Sequence, residues 1–279
     1  MSVVRCQLSV EPDSSLEPSR GRERVSLHSF GQRTTGNGQR TTDNGRLMSK
    51  FFSPTVHLLA TLACLLVALC LVFLYAPQEA TMGEVQRIFY IHVSSAWTAF
   101  VAYFLVFAGS VGYLWKHSPR ADDLAQAAGE VGFVFCSAVL VTGPLWAKPV
   151  WGIWWTWDAR LTLTFVLWLL FVSYLMLRRY VSSPGHAPTL AAVVGIIGFV
   201  DVPIDYMAIR WWRTQHPQPV IAGGEGSGID PRMWVTLLVT WAAFLCLFSW
   251  LLRQRLWLAE ARRELSALRR ALAIRPSED

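Results

Sequence analysis

The chain of 279 residues is 53% hydrophobic and only 16% charged. Soluble domains carry about 25% charged residues, so the composition excludes an ordinary soluble protein, and the long apolar runs point to an integral membrane protein. The net charge of +6 calls for no nucleic-acid partner, because the basic residues flank apolar spans as the positive-inside rule describes.

Residues 1–47 are polar and rich in Ser, Arg, Gly and Thr. They hold too little apolar surface to form a packed core and lack the apolar run of a signal peptide. They are expected to be a disordered cytoplasmic extension, or to precede the start actually used, since Met48 opens M-S-K-F-F directly ahead of the first span. Six apolar spans follow at about 55–76, 91–115, 127–147, 160–177, 190–209 and 233–252, each near the ~20 residues a bilayer requires. With the N-terminus inside, 19 Lys and Arg fall in inner segments and 6 in outer loops. The expected fold is therefore an all-α integral membrane protein, a bundle of six transmembrane helices with both termini cytoplasmic.

The first outer loop, 77–90, is short. The second contains Trp151 to Thr162, W-G-I-W-W-T-W-D-A-R-L-T. Were these residues helical, Trp151, Trp154, Trp155, Asp158 and Thr162 would share one face, an aromatic shelf suited to a flat, largely apolar ligand bearing charges. The alternative is an interfacial tryptophan belt, with Asp158 capping the next helix. The third outer loop, 210–232, contains Gly223, Gly224, Gly226 and Gly228 and is expected to be mobile. Residues 253–272 form a basic amphipathic segment expected to lie along the inner membrane surface. The chain divides into 1–47, a membrane domain over 48–255 and a basic tail over 256–279.

Four of the five cysteines lie in apolar spans and no C-x-x-C-H occurs, so neither a disulfide framework nor a covalent haem-attachment motif is present. Of six histidines, only His92 and His216 fall on the outer side. His92 opens the second span. His216 precedes Pro217, which disfavours helix at His216, so His92 is expected to be firmly held and His216 to yield. Two neutral imidazoles beside an aromatic shelf match the axial ligand set of haem iron. Zinc would ask for three or four protein ligands, and no outer cysteine supplies them. Arg87, Lys148, Arg160, Arg210 and Arg213 lie in the same region, where guanidinium groups pair with ligand carboxylates or with lipid phosphates. Asp201 and Asp205 flank Pro203 near the outer end of span five, with Arg210 and Arg213 as possible partners or a helix-capping role.

The stretch W-G-I-W-W-T-W-D-A-R-L-T resembles the tryptophan-rich WWD signature of haem-handling proteins in cytochrome c biogenesis. Together with R-I-F-Y-I-H-V, V-T-G-P-L-W-A-K-P-V-W-G and W-W-R-T-Q-H, it makes residues 55–255 similar to the CcmC (HelC) branch of that group.

The resemblance implies a protein of the bacterial inner membrane that binds haem b on its periplasmic face, with His92 and His216 as axial ligands. Trp151, Gly152, Trp154, Trp155, Trp157 and Asp158 match the signature that lies against the macrocycle, and Arg160 and Arg87 are the accompanying candidate contacts. Asp158 is expected to serve transfer more than ligation. The implied partners are an ABC transporter pair, a small single-span membrane protein and a membrane-anchored periplasmic haem chaperone, which makes the chain a transfer component more than a conventional enzyme. Two alternatives are a component of the cytochrome c synthetase of the other biogenesis system, which would carry further histidines in its spans, and a b-type cytochrome with histidine pairs on facing helices.

Overall fold

The computed structural model describes residues 53–181, 186–217 and 229–273. Among them are seven α-helices and no strand: α1 (Pro54–Cys70), α2 (Ile88–Lys116), α3 (Pro119–Trp151), α4 (Ala159–Tyr180), α5 (His186–Phe199), α6 (Asp201–Trp211) and α7 (Pro231–Ala273). A π-helical turn over Leu71–Tyr75 extends α1, and a 3₁₀ turn over Glu84–Arg87 leads into α2. Among the described residues, six stretches are long and apolar enough to cross a membrane: Pro54–Tyr75, Glu84–Lys116, Pro119–Trp151, Ala159–Tyr180, His186–Trp211 and Pro231–Arg270. They coincide with the six predicted spans, so the protein is an all-α integral membrane protein. Exposed Leu59, Leu62, Leu66 and Leu74 on the first span suit a lipid environment. The polar extension 1–47 and the glycine-rich run 223–228 lie outside the described residues.

Local chemistry sets the helix ends. Pro119 follows extended Ser118 and sits in the first turn of α3, where its missing N–H leaves no helix bond unmade. Between α2 and α3 only His117 and Ser118 intervene, His117 being a left-handed cap with φ 50°, so the two helices run antiparallel side by side. Their contact is the most extensive in the bundle. It depends on small residues: a Cβ on Gly132 would stand 2.7 Å from both Ala102 Cβ and the Phe171 ring. Membrane helices approach closely where side chains are small.

The larger core joins α2, α3 and α4 through Ala102, Tyr103, Val106, Phe135, Leu167, Phe171 and Tyr174. A second cluster, Val72, Ala76, Phe89, Tyr90 and Leu237, with Trp97 and Trp146 packed on it, occupies the end of the bundle where α2 begins. The fifth span is broken at Val200 into α5 and α6. Pro203 has no N–H to give the Phe199 carbonyl, and a proline in a helix interior bends or interrupts it.

One expectation changes here. Residues 253–272 do not form a separate helix along the membrane surface. Instead, α7 runs unbroken from Pro231 to Ala273, about 65 Å at 1.5 Å per residue, roughly twice the hydrocarbon core. Sharp bends need Pro, Gly or an inserted group, and residues 232–273 contain neither Pro nor Gly. The projecting length is tied to the start of α3 by the ion pairs Arg255–Glu130 and Arg263–Asp123.

Candidate functional site

The tryptophan stretch is not helical throughout. Helix α3 stops at Trp151, and Gly152 caps it in the left-handed conformation with φ 77°, which costs glycine no Cβ clash. Residues 153–158 run as an irregular loop. Asp158 then caps α4, its Oδ1 accepting the Leu161 N–H at 3.0 Å. The single-face arrangement expected for Trp151, Trp154, Trp155, Asp158 and Thr162 therefore does not form: a left-handed glycine followed by an extended N-cap breaks the 3.6-residue register.

A cavity of about 360 Å³ opens beneath this loop, within the roughly 300–1,000 Å³ of small-molecule sites. His92, Ala96, Ala99 and Phe100 of α2 line one wall. Cys136, Val139, Leu140, Gly143, Pro144, Trp146, Ala147 and Trp151 of α3 line another, and Arg160, Leu161, Thr164 and Asp205 contribute from α4 and α6. Trp155, His216, Pro217, Thr81 and Met82 complete it from the loops. Pro144 lies inside α3, where it leaves a carbonyl without its helix partner and loosens the turn facing the cavity.

The two histidines meet here. Their ring centroids are 6.4 Å apart with planes 34° from parallel. A metal ion bound at about 2 Å by one nitrogen of each ring, on opposite sides of it, separates the centroids by about 6 Å. His92 is buried. Its Nδ1 is 2.9 Å from Thr142 Oγ1, while the Thr142 hydroxyl donates to the Ala138 carbonyl at 2.7 Å. With its single proton so placed, Thr142 Oγ1 accepts from His92 Nδ1–H, and the His92 Nε2 lone pair is left free. Trp146 packs edge-on against the same ring at 5.9 Å.

His216 repeats the pattern, with Nδ1–H donating to the Pro217 carbonyl at 2.9 Å. Burial first and the Arg160 cation second bring its pKa down to about 4, against the opposing pull of the Pro217 carbonyl and Asp158. At neutral pH the His216 imidazole is therefore uncharged, as a ligand must be. Among the described residues no cluster of three or more His, Cys, Asp and Glu is placed to hold a metal, so the pair stands without the third protein ligand a zinc site uses.

Five of the ten predicted site residues line the cavity: His92, His216, Trp151, Trp155 and Arg160. The other five do not. Gly152 is the helix cap, and Asp158 is engaged with backbone N–H groups. Trp154 and Trp157 are exposed, with Lys148 Nζ over the Trp154 ring at 5.9 Å. Arg87 pairs with Glu84 and donates to the Val72 carbonyl, which the π-helical turn leaves available. Arg160 lies 3.5 Å from Asp205 Oδ1 and also donates to the Asp205 carbonyl. Thr164 Oγ1 is 3.2 Å from the same carboxylate. The partner of Asp205 is thus Arg160, not Arg210 or Arg213, because the break at Val200 turns Asp205 toward α4. Sequence reasoning passed over Thr142 and Trp146. They stand four residues apart on α3, one helical turn, beside Gly143, the residue whose Cβ would lie 3.4 Å from His92 Cε1.

The family model CcmC, heme exporter protein C, matches residues 41–271. The chain belongs to the CcmC family. It is 36% identical to heme exporter protein C of Bradyrhizobium diazoefficiens over 205 residues, 72% of this chain and 78% of that protein. It is 36% identical to heme exporter protein C of Escherichia coli strain K12 over 168 residues, 58% of this chain and 64% of that protein. The Haemophilus influenzae heme exporter protein C is 33% identical over 178 residues, 63% of this chain and 72% of that protein. The CcmC match spans both histidines, the tryptophan loop and all six spans. His57, within the first span, has its Nε2 3.1 Å from Ser249 Oγ.

Proposed function

We propose that this protein handles haem for cytochrome c maturation: it takes haem as cargo in the His92–His216 cavity and passes it on. The observation that carries the reading is the pair of imidazoles 6.4 Å apart, each with Nδ1 engaged by oxygen and each lining the cavity. Haem iron accepts two such axial nitrogens. The apolar walls with Trp146, Trp151 and Trp155 suit the macrocycle, and Arg160 suits a propionate. The relatives named for haem export support the same cargo.

On this reading the site faces the periplasm from the bacterial inner membrane, both termini are cytoplasmic, and the acceptor is a membrane-anchored haem chaperone. ABC transporter subunits and a small single-span protein complete the assembly. A permanent b-type cytochrome is disfavoured because His216 lies outside any helix, next to Pro217. A ligand on an irregular segment can be withdrawn at lower cost than one packed inside a bundle.

The test is spectroscopic. The protein purified in nanodiscs is titrated with hemin beside His92→Ala and His216→Ala. Wild type is expected to give a low-spin spectrum with two axial imidazoles, and each variant to lose one. Transfer to an added haem acceptor then separates a carrier from a resident cytochrome. A wild-type spectrum insensitive to both substitutions would sink the proposal.

A further inference from the structure

We infer that Asp158 is a positioning residue that latches His216 over the cavity, acting through the backbone of Gln215. This rests on the reading of His216 as an iron ligand and assigns it a device that the tryptophan signature does not. The residues carrying His216 have no regular structure: α6 ends at Trp211, Trp212 is extended, and the chain reaches Pro217 without another helix. Within this segment the hydrogen bonds of Thr214 to the His216 carbonyl, 3.4 Å, and of His216 to the Pro217 carbonyl, 2.9 Å, are local. Neither ties the segment to the bundle. The Gln215 N–H does, donating to Asp158 Oδ2 at 3.2 Å.

The acceptor is itself fixed. Asp158 Oδ1 takes the Leu161 N–H at 3.0 Å as the cap of α4, and Oδ2 also takes the Thr156 hydroxyl at 2.9 Å. Three donors hold one carboxylate at the end of a membrane helix, where the helix dipole also favours its charge. A hydrogen bond to a charged acceptor is stronger than one between neutral groups. Because Gln215 is covalently next to His216, the height of the His216 ring above His92 depends on this bond. Asp158 does not line the cavity, so its effect on cargo passes through His216. On this assignment Asp158 serves ligation, where its place in the sequence points to transfer more than ligation.

Asn at this position separates the latch from the cap. Asn is as good an N-cap as Asp, and its single oxygen keeps the Leu161 bond. Its amide nitrogen then faces the Gln215 N–H, donor against donor. Gln215→Pro removes the other half of the latch by deleting the N–H. In nanodiscs, hemin-loaded Asp158→Asn and Gln215→Pro are expected to lose the second axial imidazole while His92 remains bound. Millimolar imidazole should restore the six-coordinate spectrum, as it should for His216→Ala. Affinity for hemin should fall roughly ten- to hundredfold, the scale of one hydrogen bond to a charged group. A second readout needs no haem: trypsin should cut after Arg213 at least about tenfold faster in Asp158→Asn, with the thermal midpoint of the bundle unchanged. Unchanged trypsin rates together with a wild-type spectrum in Asp158→Asn would overturn the latch. A wild-type protein whose spectrum ignores His216→Ala would overturn the haem reading, while the trypsin comparison still decides whether Asp158 holds the segment.

Discussion

The ring centroids of His92 and His216 lie 6.4 Å apart, yet the two rings are held in different ways. His92 is carried on a membrane helix and bonded to Thr142 of its neighbour. His216 bonds to the carbonyl of the next residue and depends on its backbone for placement. The cavity therefore has one ligand anchored by tertiary structure and one anchored by a short irregular segment.

Thr142 should matter for the first ligand. Thr142→Val keeps the shape and removes the acceptor of His92 Nδ1–H, leaving the ring free to turn and its tautomer undefined. Losing such an outer partner typically costs about 10- to 100-fold in metal affinity. Hemin titration is expected to show a loss of that size in Thr142→Val and near-normal binding in Thr142→Ser. Equal affinity for Val and wild type would remove Thr142 from the site.

The Arg160–Asp205 pair predicts a separation of stability from cargo charge. Removing Arg160 alone strands the buried Asp205 carboxylate, at a cost of about 3–5 kcal/mol. The double variant Arg160→Met with Asp205→Leu should regain most of that stability, because paired apolar replacements are often neutral. It should also bind hemin and hemin dimethyl ester alike, whereas wild type prefers the free carboxylates. Thermal unfolding and the two titrations check this, and an unchanged preference in the double variant would show that Arg160 is not the carboxylate receptor.

Gly152 should tolerate little. Its φ of 77° costs a residue with a Cβ about 1–2 kcal/mol, so Gly152→Val should lower the thermal midpoint and displace the loop that carries Trp155. Gly152→Asn should be milder, since Asn enters the left-handed region more readily. Tryptophan fluorescence during unfolding reads both variants, and no difference between Val and Asn would argue against a conformational origin.

We propose that residues 1–47 are dispensable, on the ground of their polar, non-periodic composition. A chain beginning at Met48 should insert into the membrane and support cytochrome c maturation in cells lacking the full-length protein. Failure to insert is the adverse result.

What the sequence determined by itself is what depends on neighbours along the chain. Apolar runs of bilayer length placed all six spans, because a backbone cut off from water in the bilayer core must satisfy its own hydrogen bonds, which leaves such a segment little choice but helix. Asp158 ahead of an apolar run is legible as an N-cap, and Pro217 after His216 is legible as non-helical backbone. The two histidines were candidates because charge counting put them on one side. Tertiary structure alone decided which groups meet. Hydropathy is silent about the rotation of a helix about its axis, and that rotation aims Thr142 and Trp146 at His92 and leaves Arg87 on Glu84 and Val72. The break at Val200 gives Asp205 to Arg160 in place of Arg210 and Arg213. The left-handed Gly152 divides the tryptophans, putting Trp151 and Trp155 in the cavity and Trp154 and Trp157 at the surface. The meetings of His92 with Thr142 and of Asp205 with Arg160 turn on packing between distant segments, where a rotation of one residue's arc, about 100°, exchanges a partner for solvent or lipid.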